Sequence, residues 1–252
     1  VIALVLVGAA GRMGRAVSEA AATAPDVELR ASVDRVANLG GSRGVWSHEA
    51  GDVIRAGDVV VDFSSPEGTQ ALAALCAERG VPLVIGTTGL TAEHHSALRA
   101  AATRVAVLHA ANFSLGAAAL KRVLAAALAA VPASWDIEIV ERHHRMKADA
   151  PSGTALALAE VARAARGAQT ALRHGREGRV GARPDGEIGM HAVRGGSWVG
   201  DHAVLLAGAG ESIEVRHVAE SRAAFASGAL AAARFVAGRP AGLYTLDHVL
   251  GD

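Results

Sequence analysis

The first half of the chain alternates short apolar runs with longer amphipathic ones. Residues 1–7 are apolar throughout, the pattern of a strand covered on both faces. Gly8 to Gly14 follow, then a helical stretch that runs to Pro25. Residues 27–33 predict a second strand, less buried because Glu28 and Arg30 interrupt it. Residues 58–63 predict a third, and Ser64-Ser65-Pro66-Glu67 after it reads as a helix start, with serine to cap and proline in the first turn. That helix carries Cys76 and stops at Gly80. A strand over 81–85, a turn over 86–89, a helix over 91–102 and a strand over 105–108 complete the series. Strand and helix in this alternation predict a parallel sheet with helices on both faces.

After Asn112-Phe113-Ser114 the pattern changes. Residues 115–130 form a long alanine-rich helical stretch, and 135–142 alternate as a half-exposed strand. A helix is expected over 151–166, with Pro151 in its first turn. Residues 167–186 are rich in glycine and arginine and read as a loop insertion, while 35–57 are short on pattern. Strands follow over 187–193, 198–207 and 212–218, with Gly208-Ala209-Gly210-Glu211 as a hairpin between the last two. A mixed or antiparallel sheet is therefore expected here, before 221–237 return to helix.

Length and composition narrow the class. The 252 residues suit one large domain or two modest ones, and an apolar share of 51% is enough for a sizeable core. Aromatics make up only 3%, so that core is built from alanine, valine and leucine. The 25 basic and 25 acidic residues balance without long runs of either sign, which argues against a nucleic-acid binder. A single cysteine, Cys76, cannot form an internal disulfide. No apolar stretch has the length of a membrane span, and the first residues lack the pattern of a signal peptide. The expectation is a soluble, cytoplasmic globular protein.

Two segments carry chemistry. Gly8-Ala9-Ala10-Gly11-Arg12-Met13-Gly14 lies between the first strand and the first helix. Glycines there permit a tight turn, close backbone approach to a pyrophosphate and tight helix packing, and the helix start presents N–H groups to phosphate. The spacing is G-x-x-G-x-x-G, with Ala10 where the commoner fingerprint has glycine. Asp34 ends the second strand at the distance where an acid bonds the ribose 2′-hydroxyl of NAD. Arg35 or Arg12 could instead pair with the 2′-phosphate of NADP, so NADH against NADPH stays open. Small or polar residues also end three strands, at Phe63-Ser64-Ser65, Gly86-Thr87-Thr88-Gly89 and Ala110-Ala111-Asn112-Phe113. Together they leave room for a nicotinamide ring, with backbone carbonyls to hold its amide.

The second segment is Glu141-Arg142-His143-His144-Arg145-Met146-Lys147-Ala148-Asp149-Ala150-Pro151-Ser152-Gly153-Thr154. Lysine and arginine total 25, of which only Lys121 and Lys147 are lysine. A lysine kept in a polar loop of an arginine-rich chain suggests that a compact, protonatable cation is wanted there. His143 and His144 supply a proton donor near neutral pH and a second ligand contact. The N–H groups around Ser152-Gly153-Thr154, with the Thr154 hydroxyl, would make a carboxylate site at the positive end of a helix. The set suits an anionic substrate that needs a proton. A metal site is not expected, because adjacent histidines point apart and no H-E-x-x-H helix is present. A serine hydrolase would need a G-x-S-x-G turn, which is absent. Arg194 reads either as a substrate contact or as a support of the sheet, and Cys76 as a small buried hydrophobe.

These motifs resemble the dihydrodipicolinate reductase (4-hydroxy-tetrahydrodipicolinate reductase) family of the diaminopimelate–lysine pathway. The likeness runs through the glycine turn, Gly86-Thr87-Thr88-Gly89, Ala110 to Ser114, the 141–155 block, Val193-Arg194-Gly195-Gly196 and Val199-Gly200-Asp201-His202, in order along nearly the whole chain. The H-H-x-x-K-x-D-A-P-S-G-T block is its most specific part. The resemblance implies an NADH- or NADPH-dependent reductase with a Rossmann-like parallel-sheet dinucleotide domain and an inserted α+β substrate and oligomerisation domain of mixed sheet. The first would span 1–114, completed by 223–252, and the second 115–222. His143 would be the proton donor, Lys147 its cationic partner, and His144, Gly153 and Thr154 the holders of the substrate carboxylates. Gly8, Ala9, Ala10, Gly11, Arg12, Met13, Asp34, Arg35, Gly86, Thr87, Thr88, Ala110, Ala111, Asn112 and Phe113 would line the cofactor. A small dicarboxylate substrate and a homotetramer are implied, with neither nucleic acid nor membrane as partner. Family members usually carry glycine at position 10, so Ala10 is a departure in the pyrophosphate grip. Two rivals are another NAD(P)-dependent dehydrogenase on the same scaffold and a dinucleotide-sensing regulator without turnover.

Overall fold

The computed structural model describes residues 1–35, 44–167 and 170–251. In chain order the elements begin β1 (Ile2–Val7), α1 (Arg12–Thr23), β2 (Val27–Val33), β3 (Val45–Ser47), α2 (Ala50–Val53), β4 (Asp58–Asp62), α3 (Pro66–Arg79), β5 (Leu83–Ile85), α4 (Ala92–Ala102) and β6 (Ala106–His109). They continue α5 (Leu115–Ala130), β7 (Asp136–His143), α6 (Gly153–Arg166), β8 (Leu172–His174), β9 (Ile188–Arg194), β10 (Gly200–Gly208) and β11 (Glu211–Ala219). The last three are α7 (Ala223–Val236), β12 (Gly242–Tyr244) and α8 (Leu246–Val249). The chain divides into two compact units, Val1–Leu115 with Arg222–Asp252, and Gly116–Ser221.

The first unit is a seven-stranded parallel sheet in the order β12-β6-β5-β4-β1-β2-β3. Leu4, Val5 and Leu6 are all 0% exposed, which is what an unbroken apolar run predicts for a strand covered on both faces. On one face Val5, Val60, Leu83 and Val107 pack with Leu72, Cys76, Leu98 and Ala101 of α3 and α4. The strand order reverses between β1 and β4, the switch point at which open parallel sheets bind ligands beyond their strand ends. The helix that starts at Pro66 is capped by Ser65, whose hydroxyl accepts from the Gly68 N–H, and ends on the left-handed Gly80, as the sequence predicts.

The second unit is a mixed five-stranded sheet, β11-β10-β7-β9-β8, in which β7 and β9 run parallel and β10 lies antiparallel to both β7 and β11. Leu120, Leu124, Leu128, Leu158 and Ala162 of α5 and α6 cover Ile137, Ile139, Ile188, Met190, Val204 and Leu206. Alternation along β7 is regular, and every second side chain from Ile137 to His143 is buried. That rhythm carries Glu141 and His143 onto the same buried face as the core isoleucines.

Three short strands fall outside the sequence reading. β6 does not close the first sheet, because β12 pairs beside it, and β3 lies at the opposite edge. β8 sits inside the stretch read as a loop insertion. The last corrections concern helix starts: α6 begins at Gly153 with Ser152 as its cap, so Pro151 precedes the helix, and α7 begins at Ala223.

Candidate active site

In the first unit the turn after β1 is a backbone construction. Gly8 has φ +78°, and a Cβ on it would lie 2.4 Å from the Phe63 carbonyl oxygen at the end of β4. A Cβ on Gly14 would lie 2.3 Å from the Gly8 carbonyl oxygen. Both positions therefore exclude any side chain. The Gly8 and Ala9 N–H groups donate to the Val33 carbonyl (2.9 and 3.2 Å), and the Ala10 N–H donates to Asp34 Oδ2 (2.9 Å). Gly11 caps α1 without a side chain, and no acid stands in that helix's first turn. The turn thus has the shape and polarity that a dinucleotide pyrophosphate requires, with the N–H groups of Arg12 to Gly14 at a positive helix end.

The neighbouring strand ends close around one ring. A Cβ on Gly86 would stand 2.1 Å from a carbon of the Phe63 ring, which meets Phe113 edge-on at 5.6 Å between centroids. Phe63 is thereby the common floor of the turns after β4, β5 and β6. Thr87 is buried, whereas Thr88 and Ala111 are exposed and Asn112 Oδ1 accepts from the Ser114 N–H at 2.8 Å. The structure brings Gly8 to Met13, Asp34, Gly86 to Thr88 and Ala110 to Phe113 to the carboxyl ends of the sheet's strands, where open parallel sheets bind ligands. Arg35 lies exposed just beyond β2.

The second unit builds its site from side chains. Glu141 is 0% exposed, and both its oxygens are fully engaged. Arg194 on β9 donates to Oε1 (2.7 Å) and Oε2 (2.8 Å), the Ser152 N–H donates to Oε1 (3.0 Å), and His143 Nδ1 lies 2.5 Å from Oε2. Burial pushes the Glu141 carboxyl up, but Arg194 and His143 outweigh it and hold it below the ordinary range. Burial pulls His143 below its ordinary 6.5, and Glu141 opposes that pull. With Nδ1 committed to a carboxylate, Nε2 is the nitrogen that can pass a proton. The backbone of Gly200 runs under it, and a Cβ there would approach Nε2 to 3.3 Å.

Ser152 links this line to the next helix. Its hydroxyl accepts from the Ala155 N–H (3.2 Å) and stands 2.9 Å from His202 Nε2. His202 meets His143 edge-on at 5.1 Å, and burial lowers its pKa to about 4. Gly153 is exposed, and a Cβ on it would find nothing within 4 Å. The fold therefore does not need glycine there. Lys147 Nζ bonds Asp149 Oδ1 (2.7 Å), an exposed pair of the kind that contributes little to stability. His144 is fixed by its N–H to the Trp198 carbonyl (2.8 Å). Among the described residues no group of three or more His, Cys, Asp or Glu side chains is placed to hold a metal ion.

Glu141, Arg194 and His202 had no settled role in the sequence, and the Ser152 N–H, expected to face a substrate carboxylate, is instead buried and donates to Glu141. Arg194 supports the site through Glu141 and through the Asp149 carbonyl. For Glu141 a signal existed: an acid at a core position of an alternating strand, two residues before a histidine.

Comparison with known proteins decides the family. Residues 2–113 match the family described as "Dihydrodipicolinate reductase, N-terminus", and residues 116–250 match "Dihydrodipicolinate reductase, C-terminus". The chain belongs to the dihydrodipicolinate reductase family. Among curated relatives, the 4-hydroxy-tetrahydrodipicolinate reductase of Thermomicrobium roseum is 48% identical over 256 residues, and that of Chromobacterium violaceum 44% over 262, each covering 98% of both chains. A solved dipicolinate-bound dihydrodipicolinate reductase from Paenisporosarcina superposes with a TM-score of 0.82 at 28% identity, over 98% of this chain and 99% of that one. A DAP dehydrogenase of C. glutamicum shares the fold (TM-score 0.60, 18% identity, 99% of this chain and 95% of that one). Within the family's glycine turn, Ala10 takes a residue without positive φ, since every positive-φ residue described is a glycine, and its N–H still reaches Asp34.

Proposed function

We infer that the chain reduces 4-hydroxy-tetrahydrodipicolinate, by way of dihydrodipicolinate, to tetrahydrodipicolinate, a step of diaminopimelate and lysine biosynthesis. It is an NAD(P)H-dependent oxidoreductase with a small dicarboxylate as substrate. A reduced nicotinamide held by Gly86 to Thr88 and Ala110 to Phe113 would supply the hydride for C4 of the conjugated imine ring. His143 Nε2 then gives its proton to the enamine-like carbon, while Nδ1–H stays on Glu141. Arg194 keeps Glu141 ionised, so the imidazole stays in one tautomer and one orientation. Lys147 and His144 meet the substrate's carboxylates, together with the N–H groups of Gly153 and Thr154 at the start of α6. Lys147 can turn from the exposed Asp149 to a substrate carboxylate at small cost.

The observation that carries this reading is the buried line Arg194–Glu141–His143, ending beside a helix start whose first residue leaves open space. A stable fold alone does not explain a carboxylate with no exposure on a core face. We assign the dinucleotide to residues 1–114 with 223–252, and the substrate and self-association to 115–222. Gly8 to Met13 take the pyrophosphate, Asp34 and Arg35 the adenosine ribose, and Gly86 to Thr88 with Ala110 to Phe113 the nicotinamide. Self-association into a tetramer is assigned to the sheet of the second unit, whose terminal strand β11 exposes Ile213 and Val218.

One spectrophotometric experiment tests the reading. Substrate is made in situ by the preceding synthase, and oxidation of NADH is compared with that of NADPH. Oxidation that requires both synthase and this chain is the expected result; binding of NADH without oxidation under those conditions would overturn the reading.

A further inference from the structure

Asp62 is the last residue of β4 and is 0% exposed. Its partners in register on the flanking strands are Val7 and Ile85, and Val59 to Val61 precede it. Both flanking positions are apolar and Asp62 has no solvent access, so an acid there costs stability unless donors satisfy it. Donors come from three segments. The Ser64 N–H (3.0 Å) and hydroxyl (2.5 Å) donate to Oδ1, while the Thr69 hydroxyl of α3 and the Thr87 hydroxyl (3.1 Å) donate to Oδ2. The Asp62 carbonyl also accepts from the Gly86 N–H at 2.8 Å. One carboxyl group therefore binds the turn after β4, the first helical turns of α3 and the turn after β5.

We propose that Asp62 is a positioning residue for the nicotinamide end of the cofactor: it holds the Ser64 and Thr87 turns at a fixed spacing, so that Gly86-Thr87-Thr88 meets the ring pre-organised. The inference rests on the assignment of those residues to the nicotinamide. A role in positioning accounts for the acid at a level where neighbouring strands carry valine and isoleucine. It also separates the two ends of the cofactor. The pyrophosphate turn is held by Val33 and Asp34, and none of its described bonds involves Asp62.

The test compares NADH with ADP-ribose, which has the pyrophosphate and both riboses but no nicotinamide. Affinities are measured by titration for the wild type, Asp62→Asn and Thr69→Val. Asp62→Asn keeps the shape of the side chain but puts an amide donor where the Thr69 and Thr87 hydroxyls now donate, so both must turn to accept and the two turns shift, and NADH should bind about tenfold more weakly while ADP-ribose stays within about twofold. Thr69→Val removes one donor from the carboxyl without touching either turn, and should weaken NADH alone by about threefold. It carries the test if the asparagine variant does not fold. Equal weakening of both ligands, or no weakening of NADH in either variant, would overturn the role. A wild type that binds ADP-ribose as tightly as NADH would instead remove the nicotinamide assignment, and this role with it.

Discussion

Gly8, Gly11 and Gly14 in the first unit and Glu141, His143 and Arg194 in the second, the two places proposed to receive an anion, are built by opposite means. The glycine turn works by leaving side chains out, so that peptide N–H groups at a helix end lie bare to a phosphate. The histidine line works by burying charge, with an ionised Glu141 that has no solvent access and a guanidinium across both its oxygens. A backbone site tolerates changes that respect its φ angles and close contacts. A buried ionic site tolerates little, because the loss of one partner leaves the other unpaired in a low-dielectric setting.

Substitutions can break this comparison. Of those that leave His143 in place, Glu141→Gln should have the largest effect, lowering kcat by about 100-fold, because His143 loses the charge that sets its tautomer and sustains its protonated form. The sign of its pH effect follows from the geometry. His143 must carry its proton to donate it, so kcat/KM falls as pH rises through its pKa. Burial already puts that pKa below 6.5 and Glu141 raises it, so removing the charge moves the falling limb to lower pH. A limb that stayed in place would deny Glu141 this role. Gly8→Ala comes next. A positive φ costs alanine about 1–3 kcal/mol, before the contact with the Phe63 carbonyl is counted, and a lower Tm with weaker NADH binding should follow.

Gly153→Ala sharpens the contrast, since the protein itself has room for the methyl group. Its Tm should not fall, while the substrate KM should rise about tenfold, or 1.4 kcal/mol. A KM at the wild-type value would show that no carboxylate sits there. The smallest effect belongs to Ala10→Gly, which puts glycine where the commoner G-x-G-x-x-G fingerprint has its second one. Ala10 has no positive φ to relieve and its bond to Asp34 is made by the backbone, so NADH affinity should stay within about twofold.

The same contrast explains what could be read from the sequence. The parallel sheet, the capping by Ser65 and the stop at Gly80 follow from local pattern, as do the glycine turn and its acid at Asp34. β3, β8 and β12 do not, because three residues give no periodicity and their pairing comes from neighbours distant in the chain. Pro151 looks like a first-turn residue, yet the helix starts after Ser152 because that hydroxyl takes the Ala155 N–H. His143 and Lys147 were legible as chemistry. The bond from Arg194 to Glu141 spans 53 positions, and no spacing rule reaches that far.

The central claim is that His143 delivers the proton. Its most direct measurement is the turnover of His143→Gln with saturating NADPH and dihydrodipicolinate, read with the substrate KM. A loss in kcat of about 100- to 10,000-fold with KM nearly unchanged is the predicted result. Wild-type turnover, or a loss confined to KM, would contradict it.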